Sequence, residues 1–360
     1  MSFYIGRSFL INFLIMIAVF LFLIFLFDVI ELMRRAASDP SVTFNMVLQM
    51  ALLKLPYIGQ KSFPFAILFG SMVTFWRLTR NYELVITRAA GISAWQFLMP
   101  VLLAAFLLGV LKVAAINPLS SAMLARFDLL EATLLKGRSN FLAISETGLW
   151  LRQAGENGQS VIHSMHVLQQ GKDVELRKVT VFIYEGQDVF KKRIDADFAR
   201  LEDGFWYMRN AWINSPEKPT RFEKELWLAT DLTLASIQDS FAAPETMSFW
   251  DLPGFIDTLE KAGFSAVRHR LYWHSLLAAP FLMSAMVLIA ATFTLRQARR
   301  GGLSFIIGGG VLTGFILYFF SDVVFALGLS NSIPVILAAW TPSGVTGLLG
   351  LAMLLHLEDG

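Results

Sequence analysis

The sequence predicts a membrane α-helical bundle of six transmembrane helices, split three plus three by an inserted all-β domain. Three observations carry that prediction. Hydrophobic residues make up 55% of the 360 and charged residues only 16%. Such a chain cannot hide its apolar surface inside one water-soluble globule, so hydrocarbon must be part of its solvent. Six stretches are also long enough to cross a bilayer core of roughly 30 Å, which takes about 20 helical residues. Finally, between Lys112 and Arg268 the long apolar runs stop, and short alternating segments replace them.

The first span, 8–27, is uncharged between Arg7 and Asp28. It is longer than a signal-peptide core and no small-residue cleavage pattern follows it, so it is read as a membrane helix. The second begins near Leu55 and ends at Arg77, with Lys61 extending its ammonium to the interface. The third is uncharged over 89–111. Spans four and five cover 271–295 and 301–321, and span six covers 333–357 after a break at Ser330-Asn331-Ser332 and Pro334. The organisation expected is therefore 1–117 for the first membrane half, 118–267 for the inserted domain and 268–360 for the second half.

Basic residues in short loops set orientation. Arg77, Arg80 and Arg88 follow span two, and Arg296, Arg299 and Arg300 follow span four. Both loops are thus expected in the cytoplasm with the two termini, and the inserted domain outside, in the periplasm of a Gram-negative cell. Arg34, Arg35, Lys54 and Lys61 run against the rule on the outer side, only partly offset by Asp28, Glu31 and Asp39. A basic cluster there asks for a functional explanation. With no cysteine in the chain, a disulfide framework and thiolate metal sites are excluded. His269 and His274 lack the carboxylate and spacing of a metal site, so no metal is expected.

In the inserted domain, 149–151, 160–168, 174–185, 188–201, 204–213 and 221–228 read as strands separated by Gly, Asn, Asp and Pro turn residues. Even spacing argues for an antiparallel sandwich, jelly roll or open barrel. In 174–185 both faces are apolar or aromatic: Val179, Val181 and Ile183 on one, Thr180, Phe182 and Tyr184 on the other. A strand buried on both sides accounts for this, and so does a channel for lipid tails. A helix is predicted at 248–263, with Ser248 as N-cap, Asp251 in its first turn and Gly263 as terminator. Its apolar stripe is Phe249, Leu252, Phe255, Ile256 and Leu259.

Residues 80–91 predict a short amphipathic helix stopped at Gly91, with Tyr82, Val85, Ile86 and Ala89 on one face. Such a helix suits docking into a groove on a partner, with Glu83 as polar anchor. An interfacial linker with nothing bound fits the same periodicity.

Several short motifs then occur in a telling order: Tyr4-Ile5-Gly6-Arg7, Phe63-Pro64-Phe65, Glu83-Leu84-Val85 with Ala90-Gly91, Thr147-Gly148-Leu149-Trp150, Pro280 and Leu295-Arg296-Gln297. With the three-plus-three layout, they make the chain resemble the LptF/LptG family of lipopolysaccharide-export ABC transporter permeases over essentially its whole length, most closely its LptG branch. The resemblance implies a periplasmic all-β jellyroll-like domain and a heterodimer with an LptF-like paralogue. It also implies an LptB-like ATPase dimer, and a periplasmic bridge of LptC-like and LptA-like proteins that receives lipopolysaccharide from the outer leaflet of the inner membrane. By the same resemblance 80–91 is the coupling helix, with Tyr82, Glu83, Leu84, Val85, Ile86, Ala89 and Gly91 at the ATPase. No Gly-x-x-x-x-Gly-Lys-Ser/Thr phosphate loop is present, so ATP is expected to be used by the partner ATPase. No cofactor, catalytic residue or nucleic-acid partner is expected for this chain.

A lipopolysaccharide substrate needs an apolar wall for its acyl chains and cations for its phosphates. Phe13, Phe20, Phe22, Phe25 and Phe27 of the first span and Phe315, Phe319 and Phe320 of the fifth are candidates for the wall. Arg34 and Arg35 lead the cations, since an arginine fork binds phosphate bidentately; Arg126, Lys136 and Arg138 come next. Attraction to lipid head groups, or pairing with Glu31 and Glu131, competes with that role, and Asp28 would repel phosphate unless paired or bridged by a divalent cation. Asp322, near the outer end of span five, is an ionisable group at an interface. Gly308-Gly309-Gly310 with Gly314 reads as close helix packing. Two other functions compete with this reading. Lipoprotein-release permeases carry four spans with a large domain after the first, unlike this layout. For a membrane-anchored enzyme the β domain offers His163 and His166 but no nucleophile–base pair.

Overall fold

The computed structural model describes residues 2–37, 42–89, 91, 93–131, 134, 142–145, 148–155, 158–170, 173–185, 189–202, 204–216, 218–230, 243–261, 265–297 and 303–359. The chain divides into a helical unit (Met1–Glu131, Glu245–Trp250 and Arg270–Gly360) and a β-rich unit (Ala132–Pro244 and Asp251–His269).

The helical unit begins with α1 (Ser2–Ala36), whose only glycine, Gly6, lies in its second turn and which contains no proline. α2 (Phe44–Arg80) and the short α3 (Glu83–Ala89) follow. Then α4 (Ala94–Leu111) starts at a capping box, in which Ser93 Oγ accepts from the Gln96 backbone N–H and Gln96 Oε1 accepts from that of Ser93. The third apolar segment does not end at Lys112. It continues through a π turn, Lys112–Ile116, into α5 (Asn117–Glu131). One lysine does not break a helix, and the wider π turn sits just ahead of Pro118, which has no N–H to give to the ladder. Asn117 is buried there, donating to Tyr272 Oη at 3.3 Å and accepting from the Phe249 N–H at 2.8 Å.

Among the described residues five helices are long and apolar enough to cross a membrane: Ser2–Ala36, Ala94–Glu131, Val267–Thr294, Gly308–Leu329 and Val335–His356. The remaining expected span lies inside α2. That helix has the length, at 37 residues, but interrupts its apolar run with Lys54, Lys61, Arg77 and two prolines. α1 packs on α2 through a narrow stripe, Ile5, Phe9, Phe13 and Ile17, spaced by four. Phe13, expected on an acyl-chain wall, is instead buried edge-on against Phe63 at 5.6 Å. Its position three turns along that stripe decides this. Beside it Asn12 Nδ2 donates to Thr74 Oγ1 at 2.8 Å, an interhelical bond inside an otherwise apolar contact.

In the β-rich unit seven antiparallel strands pair in chain order: β1 (Leu142–Ser145), β2 (Gly148–Gly155), β3 (Gly158–Gln170), β4 (Asp173–Glu185), β5 (Val189–Glu202), β6 (Phe205–Ser215) and β7 (Lys218–Ala229). β1 has no counterpart among the strands read from the sequence, where the first is 149–151. Of the architectures left open, this order is that of an up-and-down sheet. It lacks, among the described strands, the Greek-key crossovers that define a jelly roll. The sheet curls until Thr230, just past β7, donates to Gln153 Oε1 of β2 at 2.7 Å, both side chains buried. Leu149, Leu151, Ile162, Leu176, Val179, Val181, Ile194, Trp206 and Met208 fill the inner face.

Strand alternation fails along one transverse line. Met165, Lys178, Asp197, Asn210 and Lys224 fall at skipped positions of consecutive ladders. On either side of it, Leu176 and Val179, Ala196 and Ala199, and Met208 and Ala211 are all buried, with two residues between the members of each pair instead of one. Lys178 and Asn210 take the left-handed backbone this requires, at φ of 53° and 55°. Ser164, fully buried on the line, donates to the carbonyls of His166 and Arg177, each at 3.0 Å. The line thus resets the phase, and one face stays inside along the whole length of the strands. β4 is accordingly buried on one face only. Thr180, Phe182 and Tyr184 are half-buried on the other, with the Arg193 guanidinium over Phe182 and Phe190 edge-on to Tyr184.

α6 (Leu252–Lys261) starts later than the predicted 248. Pro253 is tolerated only in a first turn, which moves the start to Leu252. Ser248 Oγ accepts from the Trp250 N–H in a turn before the helix, and Phe249 stacks on Trp273 at 6.2 Å. Leu252, Ile256 and Leu259 are buried as the stripe requires, and Gly263 lies outside the described residues. α7 (Val267–Gln297), α8 (Leu303–Leu329) and α9 (Val335–Asp359) complete the chain. Since α8 runs well past Ser321, Asp322 is an exposed position inside the helix, not at its end.

Candidate functional site

Two clusters lie near opposite ends of α1, separated by some 30 helical residues or about 45 Å, the order of a bilayer with its head groups. At the first, α2 ends at Arg80 and a turn at Asn81-Tyr82 leads into α3. Tyr82 sits at φ of 58° and its carbonyl accepts from the Ile86 N–H, so it precedes the helix. The predicted face of Tyr82, Val85, Ile86 and Ala89 is therefore revised. A left-handed residue cannot continue a right-handed turn, and α3 is seven residues long. Leu84 points into the bundle core, while Tyr82 and Ile86 are 70% and 66% exposed and Ala89 is exposed as well. The Val85 side chain lies outside the described set; Gly91, at φ of 81°, supplies the turn after the helix. Glu83 Oε1 accepts from Tyr4 Oη of α1 at 3.4 Å and from Asn81 Nδ2 at 3.3 Å. Two motifs distant in sequence, Tyr4-Ile5-Gly6-Arg7 and Glu83-Leu84-Val85, thus meet. Sequence alone does not mark Tyr4 as a site residue, because its companionship with Glu83 has no local signature.

At the other end Arg34 forks onto Glu31 through Nε and Nη2, both at 2.9 Å. Arg35 Nε reaches the same carboxylate at 2.8 Å, and its Nη1 reaches Glu131 of α5 at 3.4 Å. Both arginines remain open to solvent, at 75% and 49% side-chain exposure, and exposed pairs of this kind hold weakly. Asp28, the acid that would repel phosphate, is paired with Lys54 Nζ of α2 at 2.5 Å, and Lys54 lies over the Phe127 ring of α5 at 5.4 Å. Sequence reading missed this lysine as the neutralising partner because twenty-six positions separate it from Asp28. Arg126 is an exposed residue of α5; Lys136 and Arg138 lie outside the described residues.

The phenylalanines divide. Phe20 packs on the core beside Phe69, and Phe25 is half-buried. Phe22 and Phe27 of α1 and Phe315 and Phe319 of α8 project outward, each more than 60% exposed. Phe320 turns back against a small cluster around Leu271 and Val324. Gly310 and Gly314 let α8 approach α2: a Cβ there would stand 2.7 Å from Met72 Sδ and 3.0 Å from the Phe65 ring. In the β-rich unit the His163 ring lies tilted against Trp150, their centroids 4.1 Å apart. Among the described residues no group of His, Asp and Glu is arranged to hold a metal.

The profile of a family described as lipopolysaccharide export system permease LptF/LptG matches residues 3–356. The chain is similar to two curated relatives, both described as lipopolysaccharide export system permease protein LptG, from Escherichia coli strains K12 and O6:H1. Each is 24% identical over 314 residues, covering 85% of this chain and 84% of the relative.

Proposed function

This chain belongs to the LptF/LptG family of lipopolysaccharide export permeases, and from that membership we propose a division of labour between the two ends of α1. It is a permease subunit of the lipopolysaccharide export system, a transporter and not an enzyme. The α3 end faces the cytoplasm and docks on an LptB-like ATPase, which uses the ATP. The Arg34–Arg35 end meets lipopolysaccharide in the outer leaflet of the inner membrane. In this reading α2 supplies the sixth span, and the β-rich unit stands in the periplasm as the first segment of a bridge through LptC-like and LptA-like proteins.

The exposed pair Tyr82 and Ile86, held outward because Leu84 is anchored in the core, carries the docking assignment. A short helix with one apolar side chain rooted and two presented suits a groove on a partner. Glu83, tied to Tyr4, transmits force from that groove to α1. At the outer end, lipid phosphate displaces Glu31 from forks that exposed pairing holds weakly, while Lys54 silences Asp28. The outward rings of Phe22, Phe27, Phe315 and Phe319 supply apolar surface on two helices, and among the described residues no ring contact joins the two sets. A cavity walled by both is completed by an LptF-like paralogue in a heterodimer.

Charge reversal at Glu83 tests the coupling. If Glu83 is an interface anchor, Glu83→Lys costs about 2 kcal/mol or more, roughly a thirtyfold loss of affinity for the ATPase. Copurification of the ATPase falls accordingly while the permease still inserts in the membrane. Normal copurification together with normal transport contradicts the assignment.

A further inference from the structure

At the α3 end of the helical unit, the first turns of α1 and α4 bound an open groove of about 790 Å³. Phe3, Leu10, Met99 and Leu103 wall it, and its floor is shallowed by nothing larger than Gly6 against Pro100, where an added Cβ would stand 3.9 Å from the proline ring. Ser2, Arg7 and Gln96 are the polar residues of its lining, and Arg7 is the cation among them that matches an anion. Arg7 is exposed and makes no ion pair among the described residues. Gln96 spends its amide oxygen on the Ser93 backbone N–H, which leaves its NH2 as a donor.

The groove's chemistry points to its occupant. It follows the first turns of α1 and α4, with Phe3, Leu10, Met99 and Leu103 as apolar walls and Arg7 between Phe3 and Leu10. Arg7 is a cation with no ion pair among the described residues, set at the charged flank of the first apolar run. An apolar trough beside such an arginine is complementary to one lipid with a negative head group.

We propose that this groove is a binding site for an anionic phospholipid, one acyl chain lying between α1 and α4 and the phosphate held by Arg7. The site goes beyond the export reading, from which it takes only the cargo's place at the Arg34–Arg35 end; otherwise it rests on α1 and α4 crossing a bilayer. It occupies the opposite end of α1 from Arg34 and Arg35, so its lipid is resident and not cargo. Its place beside Tyr4 and Glu83 puts it where a bound lipid stiffens the joint between α1 and α3.

The test uses the transporter assembled with its partner subunits, in nanodiscs of phosphatidylethanolamine and phosphatidylglycerol with lipopolysaccharide added. A photoreactive phenylalanine replaces Met99, inside the groove, or Leu107, which is also exposed and lies two turns further along the same face. Adducts are read by mass spectrometry. The phosphatidylglycerol share at Met99 should exceed that at Leu107 by about tenfold, the ratio that 1.4 kcal/mol represents. Arg7→Gln should erase the excess without altering labelling at Leu107. Equal lipid composition at both positions overturns the site, as does a partner-subunit peptide or lipopolysaccharide as the main adduct at Met99.

Discussion

α1 and α7 bury themselves in inverse order to their hydrophobicity. The most apolar stretch of α1 has a mean hydropathy of 3.1 and is 6% buried, whereas that of α7 has 2.2 and is 67% buried. In water the more apolar helix would be the inner one. In hydrocarbon, moving a leucine from lipid to protein gains little, and close packing of small residues and hydrogen bonds decide instead. α7 buries Ala278, Ala279, Ala285, Ala290 and Ala291, and its Thr292 and Thr294 hydroxyls donate back to Ile289 and Ala290 carbonyls. Ser284 also reaches across to the Leu102 carbonyl of α4 at 3.4 Å. α1 turns Leu14, Phe22 and Phe27 outward and meets the bundle through a narrow stripe, with Leu32, Ala36 and a few polar side chains such as Asn12. The inner helix holds the bundle together; the outer one leaves most of its apolar surface uncovered by this chain.

The contrast breaks most readily at Gly109. A Cβ there would stand 2.5 Å from Pro280 Cα, backbone against backbone, at the contact of α4 with α7. Gly109→Val is expected to cost about 1–3 kcal/mol, seen as a loss of monodisperse protein on heating in detergent. At the other extreme, Leu14→Ala on the 60% exposed face of α1 should change that profile by less than about 0.5 kcal/mol. Equal sensitivity at the two positions would remove the distinction between inner and outer helix.

What the sequence discloses follows the range of the physics. Apolar length and turn residues are local, so the membrane helices and β2 to β7 are legible from 8–27 or from runs such as 174–185. Features that depend on a distant partner are not. The reset of alternation at Lys178 exists because Asp197 and Asn210 are displaced beside it. Phe13 looks like any other phenylalanine of α1 until Phe63 lies against it. The continuation of α4 past Lys112 depends on a π turn that no residue type announces. At the site, sequence proposes Arg34, Arg35 and their competitors Glu31 and Glu131, because charge and helical spacing bring them into view. It leaves Tyr4 and Lys54 unnoticed, since each acts through a residue of another helix.

We propose that lipopolysaccharide meets this chain at the Arg34–Arg35 end of α1 and then enters the β-rich unit. Photoreactive residues at Arg34 and at Ile194, inside the curled sheet, test it directly in the assembled transporter supplied with lipopolysaccharide and ATP. The prediction is a lipopolysaccharide adduct at Arg34, with ATP required for one at Ile194. An assembled, ATP-hydrolysing complex that forms an adduct at neither position would contradict it.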